Sequence, residues 1–284
     1  MSVASAGRRG GLFGRSWSVL AWSLLAWLVA IVFFFPLLWM ALEGFKTEAQ
    51  AASTPPTLLF VPTFANFRAV FSDINFTSDF TNSAVVTIGS TLVVLMLALP
   101  AAYALAIRPV KRTQDVLLFF IGVRYLPFAA SLVPLYLLAR DLHLQDTQLS
   151  LVIIYTLINL PLAVWLLRSF MLEIPRDLFE AARVDGAYFW HELWSIMLPM
   201  IMPGVAATAL ICVIFSWNEF FYAVNLTGAN AATAPIFMKG FIQGEGLFYA
   251  SLSAAATVAC LPVLMAGWFA QKQLVRGLTM GAVK

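Results

Sequence analysis

The sequence predicts an all-α integral membrane protein with six transmembrane helices, on three observations. Hydrophobic residues make up 61% of the 284 and charged residues only 11%, against about 45–50% and about 25% in a soluble globular chain. Six apolar runs of 21 to 28 residues are each bounded by charge. Basic residues alternate in abundance between successive connections. A spanning helix needs about 20 apolar residues, whereas a barrel strand takes about 9–11 of alternating character, so helix is the structure that fits.

The first run lies between Arg15 and Glu43. It is too long for a cleaved signal, whose apolar region is about 7–15 residues, and it reads as an uncleaved first span. Residues 1–15, rich in Gly, Ser and Arg, form a cytoplasmic N-terminal tail, and residues 16–284 form one transmembrane domain. The second run lies between Asp79 and Arg108, the third between Asp115 and Arg140 and is interrupted by Arg124 alone. The fourth lies between Asp146 and Arg168, the fifth between Glu192 and Glu219, the sixth between Glu245 and Lys272. Pro36, Pro100 and Pro161 fall where a helix would kink. The connection 43–82 carries Pro55, Pro56 and Pro62, which favour extended chain, with a short helix expected over Ala65–Phe71. The connection 225–247, with Gly228, Gly240, Gly244 and Gly246, reads as long and mobile. Lipid gives apolar side chains no reason to leave it, so spans should pack through small residues. Ser251, Ala255 and Ala259 supply such a face in span six, Gly204 and Thr208 in span five.

Lys and Arg in short connections set orientation. With the N-terminus inside, twelve basic residues fall on the cytoplasmic side and four (Lys46, Arg68, Arg140, Lys239) outside. Both termini are therefore expected on the cytoplasmic side, with the chain multi-pass in its membrane. Cys212 and Cys260 lie in apolar runs, and His143 and His191 lie on opposite sides, so neither a disulfide framework nor a metal site is expected. No paired aspartates, His-Glu-x-x-His run or Ser/His pair lies at matching depth, which argues against an intramembrane enzyme.

One inner-face segment, 173–199, differs from the rest by being polar and helix-forming. Pro175 suits a helix start, where its missing N–H costs nothing. Asp177 and Glu180 place negative charge in the first turns. Ala181 and Ala182 are small, strong helix formers, and Gly186 permits a turn that a larger residue resists. Tyr188, Phe189 and Trp190 follow as a bulky cluster, and Ile196 to Pro199 return the chain to the membrane. Two readings fit: a helix that seats in a partner's groove, or an amphipathic connector on the inner leaflet.

Residues Glu180, Ala181, Ala182, Gly186, Ile196, Leu198 and Pro199 decide between them by resemblance. They match, position for position, the EAA-x3-G-x9-I-x-L-P signature of the membrane subunits of binding-protein-dependent ABC importers. Pro134-Leu135-Tyr136, Asn159-Leu160-Pro161, the Ile174–Ala187 tract including Asp185, Trp217-Asn218-Glu219-Phe220 and the tail Arg276–Lys284 resemble the six-span permeases of the maltose and trehalose importers. The resemblance implies a type I ABC importer permease fold, with a cytoplasmic coupling helix between spans four and five. It implies a sugar or polyol substrate, a second permease, an ABC ATPase dimer that binds ATP and Mg, and an extracytoplasmic solute-binding protein. No cofactor is implied on this chain, and nucleic acid is not among the partners. Gly281 and Lys284 become a possible second ATPase contact, because the family's tail reaches that interface.

Inside the membrane, Arg124, Tyr125, Asn159, Asn218 and Glu219 are the polar candidates for the translocation path. Arg124, placed near mid-bilayer by its distance into span three, needs a partner; Glu219, carbonyls and water are the options. The alternative is that these groups only hydrogen-bond across helices. Tyr125, Trp217 and Tyr222 could stack on a sugar ring or serve as packing anchors. The rival to the importer is a secondary transporter or channel that works without an ATPase. It would need midplane carboxylates or broken-helix repeats, and Glu219, the acidic residue within a span, is not central.

Overall fold

The computed structural model describes residues 12–107, 111–125, 127–243 and 246–280. It is helical nearly throughout. The elements are α1 (Leu12–Gly44), α2 (Glu48–Ala51), α3 (Ala65–Ser72), α4 (Ile74–Ile107), α5 (Thr113–Arg124), α6 (Phe128–Asp141) and α7 (Gln148–Leu172). They continue with α8 (Arg176–Val184), α9 (Phe189–His191), a π-helical turn (Glu192–Met197), α10 (Leu198–Met200), α11 (Met202–Trp217), α12 (Phe221–Leu226), α13 (Ala234–Lys239) and α14 (Tyr249–Met280). Between α13 and α14, Ile242–Gln243 and Gly246–Leu247 pair as a two-residue antiparallel ladder.

Four helices are long and apolar enough to cross a membrane, and two bent pairs raise the number to six. The bent pairs correct the picture of six continuous rods. In span three, α5 and the helix that follows it turn by 89°. Pro127 stands at the break as the residue before α6 and has no N–H to continue α5. Arg124 therefore ends a helix instead of sitting inside one. In span five, Phe189–Met200 and Met202–Trp217 meet at 82°. Ile201 is the hinge, with Pro199 and Pro203 on either side. The crossing part of span five thus begins at Met202, nine residues later than the apolar run suggests.

The centre of the bundle is α4 against α7, with α11 packed on both. Small residues allow the approach. A Cβ on Gly204 would lie 2.4 Å from the Phe170 ring, so α11 and α7 touch where only glycine fits. α14 meets α11 near Ala259, whose carbonyl takes the Trp217 N–H, and lies against Gly44 of α1 at Ala254; Ala255 and Ala259 of the small-residue pattern are both buried. α1 packs on α14 and leaves large apolar side chains such as Trp22 and Phe33 exposed, as a helix bathed in lipid would. Three apolar clusters follow one another along the bundle: around Tyr103, Leu167 and Met171, around Val86, Leu151 and Tyr155, and around Phe76, Ala254 and Val258.

The connection 225–247 is more ordered than its glycines suggest. Asp146, left-handed at φ 53°, receives four donors from it: the N–H groups of Gly228, Asn230 and Ala231 and the Asn230 amide. Partial burial alone would raise the Asp146 carboxyl, but these hydrogen bonds outweigh it and hold the carboxyl below the usual range. Asp146 thereby pins the chain after α12 to the turn between α6 and α7.

Candidate coupling site

Helix α8 ends in a turn that accounts for the spacing from Ala182 to Gly186. Gly186 adopts φ 85°. Its N–H bonds to the Arg183 carbonyl at 3.1 Å, and the Ala187 N–H bonds to the Ala182 carbonyl at 2.9 Å. This pair of bonds is a Schellman cap with Gly186 at the left-handed position. A Cβ on Gly186 would meet nothing within 4 Å, so the demand for glycine comes from the backbone angle and not from crowding. At the other end Pro175 precedes the first helical residue, and Asp177 lies in the first turn.

Two side chains fasten α8 to the bundle. Phe179 is buried against Tyr103 of α4, with ring centroids 6.3 Å apart, edge to face. Arg183 reaches the fully buried Glu192, with Nε–Oε1 at 2.9 Å and a second bond to Oε2 at 3.3 Å. The Tyr103 hydroxyl donates to the other side of the same carboxylate. Phe189 stacks edge to face on Tyr103 at 5.3 Å. One tyrosine thus joins span two, the coupling helix and the entry to span five. The hydrogen bonds to Glu192, foremost, hold the Arg183 guanidinium above its already high ordinary pKa, against a smaller pull from burial.

The sequence-predicted coupling residues differ in exposure. Glu180, Ala181, Asp185, Gly186 and Pro199 are exposed, while Ala182, Ile196 and Leu198 are partly covered. Ala182, Asp185, Gly186 and Ile196, with Tyr188 and His191, line a groove of about 300 Å³. Arg183, Glu192, Tyr103 and Phe179 were not singled out as anchors by sequence reasoning. The signal available was an Arg and a Glu nine residues apart across a glycine turn. Gly281 and Lys284 lie outside the described residues.

The intramembrane candidates separate. Arg124 donates to the Ile158 carbonyl at 2.7 Å and stacks over Phe215 at 5.0 Å. Its partner is therefore a carbonyl, not Glu219. Glu219 instead accepts the N–H groups of Tyr222 and Ala223 and caps α12. Arg124 lines two small cavities of about 130 and 120 Å³, the second shared with the exposed Tyr125. Asn159, fully buried, bonds to the Tyr155 carbonyl and to Ser216, which also receives Ser90. That network ties α4, α7 and α11 together, the hydrogen-bonding alternative for Asn159. Asn218 bonds back to Ile214 within its own helix end. Trp217 donates to the Ala259 carbonyl and packs on Phe80, and Tyr222 is buried with its hydroxyl on Ser131, so both are packing residues.

The family model for the inner membrane component of binding-protein-dependent transport systems matches residues 96–279, which contain all of this site. The chain belongs to that family. The importer permease is 42% identical to a probable ABC transporter permease of Sinorhizobium fredii, over 90% of this chain and 92% of that one. It is 32% identical to the trehalose transport system permease SugB of Mycobacterium tuberculosis, over 94% and 97%. In fold it matches a bacterial ABC transporter involved in import of the polysaccharide alginate, with a TM-score of 0.71 at 22% identity, over 95% of this chain and 99% of that one. The two bent spans would also suit an ATPase-independent transporter. Family membership, not the bends, decides for the ABC importer.

Proposed function

We propose that this chain is one permease of a sugar or polyol importer, and that an ATPase dimer drives it through α8 and its capped turn. ATP and Mg bind and react on that dimer, and this permease takes no part in the chemistry. The observation that carries the reading is the geometry of α8. It is bolted to the bundle by Phe179 and Arg183, while Glu180, Ala181, Asp185 and Gly186 face away. A pull on that face passes through Tyr103 and Glu192 to α4 and α11. Closure of the ATPase would then rotate the bundle between outward- and inward-open states as a rigid body.

The sugar class is supported by the likeness to the trehalose permease. The charge asymmetry of the connections supports α8 and both termini in the cytoplasm; the likeness to bacterial permeases supports a bacterial inner membrane, where the binding protein would dock at the far end. Gly281 and Lys284 are offered as a second ATPase contact. The solute path would pass Arg124 and Tyr125, which share a cavity beside the break in span three.

The test is to co-express the chain with its companion permease, ATPase and binding protein, and to measure uptake in vesicles. Transport should require ATP and the ATPase, and a cysteine at position 180 should be labelled only from the inner side. Uptake by vesicles lacking any ATPase would overturn the reading.

A further inference from the structure

A cavity of about 610 Å³ lies far from the coupling helix. Asp79 on its wall and Tyr103 at the coupling site are on the same helix, α4, and at 1.5 Å per residue they stand about 36 Å apart. The cavity is walled by Phe237 near the end of α13, by Phe241 and Phe248, and by Ser251 in the first turn of α14. Its acidic side is Asp73 and Asp79.

Asp79 is the anomaly. Its residue is 7% exposed, and it lines the cavity wall. Asp73, which faces the same space, adds a like charge; one of its oxygens takes the Asn75 N–H at 2.8 Å. Lys239, which ends α13, pairs with neither aspartate. A carboxylate drawn partly out of water beside a second anion is costly to keep charged. A cation placed beside both carboxylates would offset that cost.

No group of three or more His, Cys, Asp or Glu among the described residues is placed to hold a metal ion. A neutral sugar would supply hydroxyl donors but would leave two negative charges uncompensated. An ammonium or guanidinium on a flexible stem answers both features: the carboxylates supply charge, and Phe237, Phe241 and Phe248 supply aromatic faces on which a cation or its methylene stem can lie. The cavity is at the end of the bundle opposite the ATPase surface, the end at which a binding protein must deliver solute.

We propose that this cavity receives a Lys or Arg side chain of the solute-binding protein, with Asp79 as its buried counter-charge. The inference rests on the importer reading. In the complete transporter, held in nanodiscs, ATPase stimulation is titrated with binding protein. Asp79→Asn should raise the half-saturating concentration by about tenfold or more and flatten its dependence on ionic strength. Asp79→Lys should raise it further, and one Lys→Glu or Arg→Glu change on the binding protein's docking face should restore that variant selectively. Asp73→Asn, at the rim, should give a smaller shift in the same direction and serves if the Asp79 variants do not assemble. Unchanged half-saturation in the aspartate variants overturns the proposal. Loss of permease pairing in both the Asp79 and Asp73 variants also overturns it, because the cation would then belong to the second permease. A wild-type transporter that no binding protein stimulates sinks the importer reading itself, a result distinct from either.

Discussion

Arg183 and Glu192 meet at 2.9 Å across the turn that ends the coupling helix, and Glu192 is wholly buried while the Arg183 side chain is 39% exposed. The pair is asymmetric. The carboxylate has left water and takes hydrogen bonds from Arg183 and Tyr103. The arginine is partly solvated and does not rely on the carboxylate to the same degree. The ion pair therefore acts more as an anchor for the carboxylate than as a surface bridge.

Removing the arginine should cost more than removing the acid. Arg183→Ala takes the charged donor from a buried carboxylate. A fully buried pair broken this way loses about 3–5 kcal/mol, and the exposure of Arg183 brings the expectation to about 2–3 kcal/mol. Glu192→Gln keeps a neutral acceptor and should cost about 1–2 kcal/mol. Thermal unfolding of the detergent-purified permease complex should rank them in that order. The reverse order would show that the pair is held by Arg183 and not by Glu192.

Gly186 should fail on backbone grounds alone. At φ 85° with open space around the missing Cβ, Gly186→Ala meets no clash, yet the left-handed conformation costs about 1–2 kcal/mol. Asn tolerates that region better, and a β-branched residue tolerates it least. Uptake should thus fall in the series Gly, Asn, Ala, Val while membrane insertion is unchanged. Equal uptake across the series would remove the turn from the coupling mechanism.

Asp146 gives a pH dependence whose sign follows from its partners. Its carboxyl is held below the ordinary aspartate range, so the charged form and its four donors persist at every pH above that range. The contribution to stability is lost as pH falls through the lowered value. Hydrogen exchange at Gly228, Asn230 and Ala231, corrected for intrinsic rates, should stay protected at neutral pH and open as pH falls through the lowered value. In Asp146→Ala these amides should exchange freely at neutral pH.

How much of this was legible in the sequence depends on the scale of the interaction. The apolar runs gave the number of crossings, because burial in lipid acts on whole segments of about 20 residues. The glycine at 186 was readable because its reason is local: a helix cap is decided within a few residues. The breaks at Arg124–Pro127 and at Ile201 were hidden, since prolines inside apolar runs are often tolerated as mild kinks. Arg124 was assigned a depth from an uninterrupted helix that does not exist. Its true partner, the Ile158 carbonyl, is a backbone group that no side-chain pattern reveals. Tyr103 and Glu192 were missed for the related reason that 89 residues separate them, and only the fold brings them together.

The contact between Gly204 and Phe170 carries a prediction that separates packing from coupling. A Cβ at 204 would lie 2.4 Å from the ring carbons of Phe170 and 3.0 Å from its Cβ. The conflict reaches the base of the side chain, so rotating the ring does not relieve it, and α7 and α11 must part. Gly204→Ala should therefore destabilise the bundle by about 1–3 kcal/mol, the usual cost of overpacking. Phe170→Ala alone should also destabilise, by loss of apolar contact. Combined, the two changes should cost less than their sum, because the space vacated by the ring accepts the new methyl. A double-mutant cycle on thermal unfolding reads the difference. Strict additivity would mean that the two helices approach elsewhere, and that the small residue at 204 serves something other than their contact.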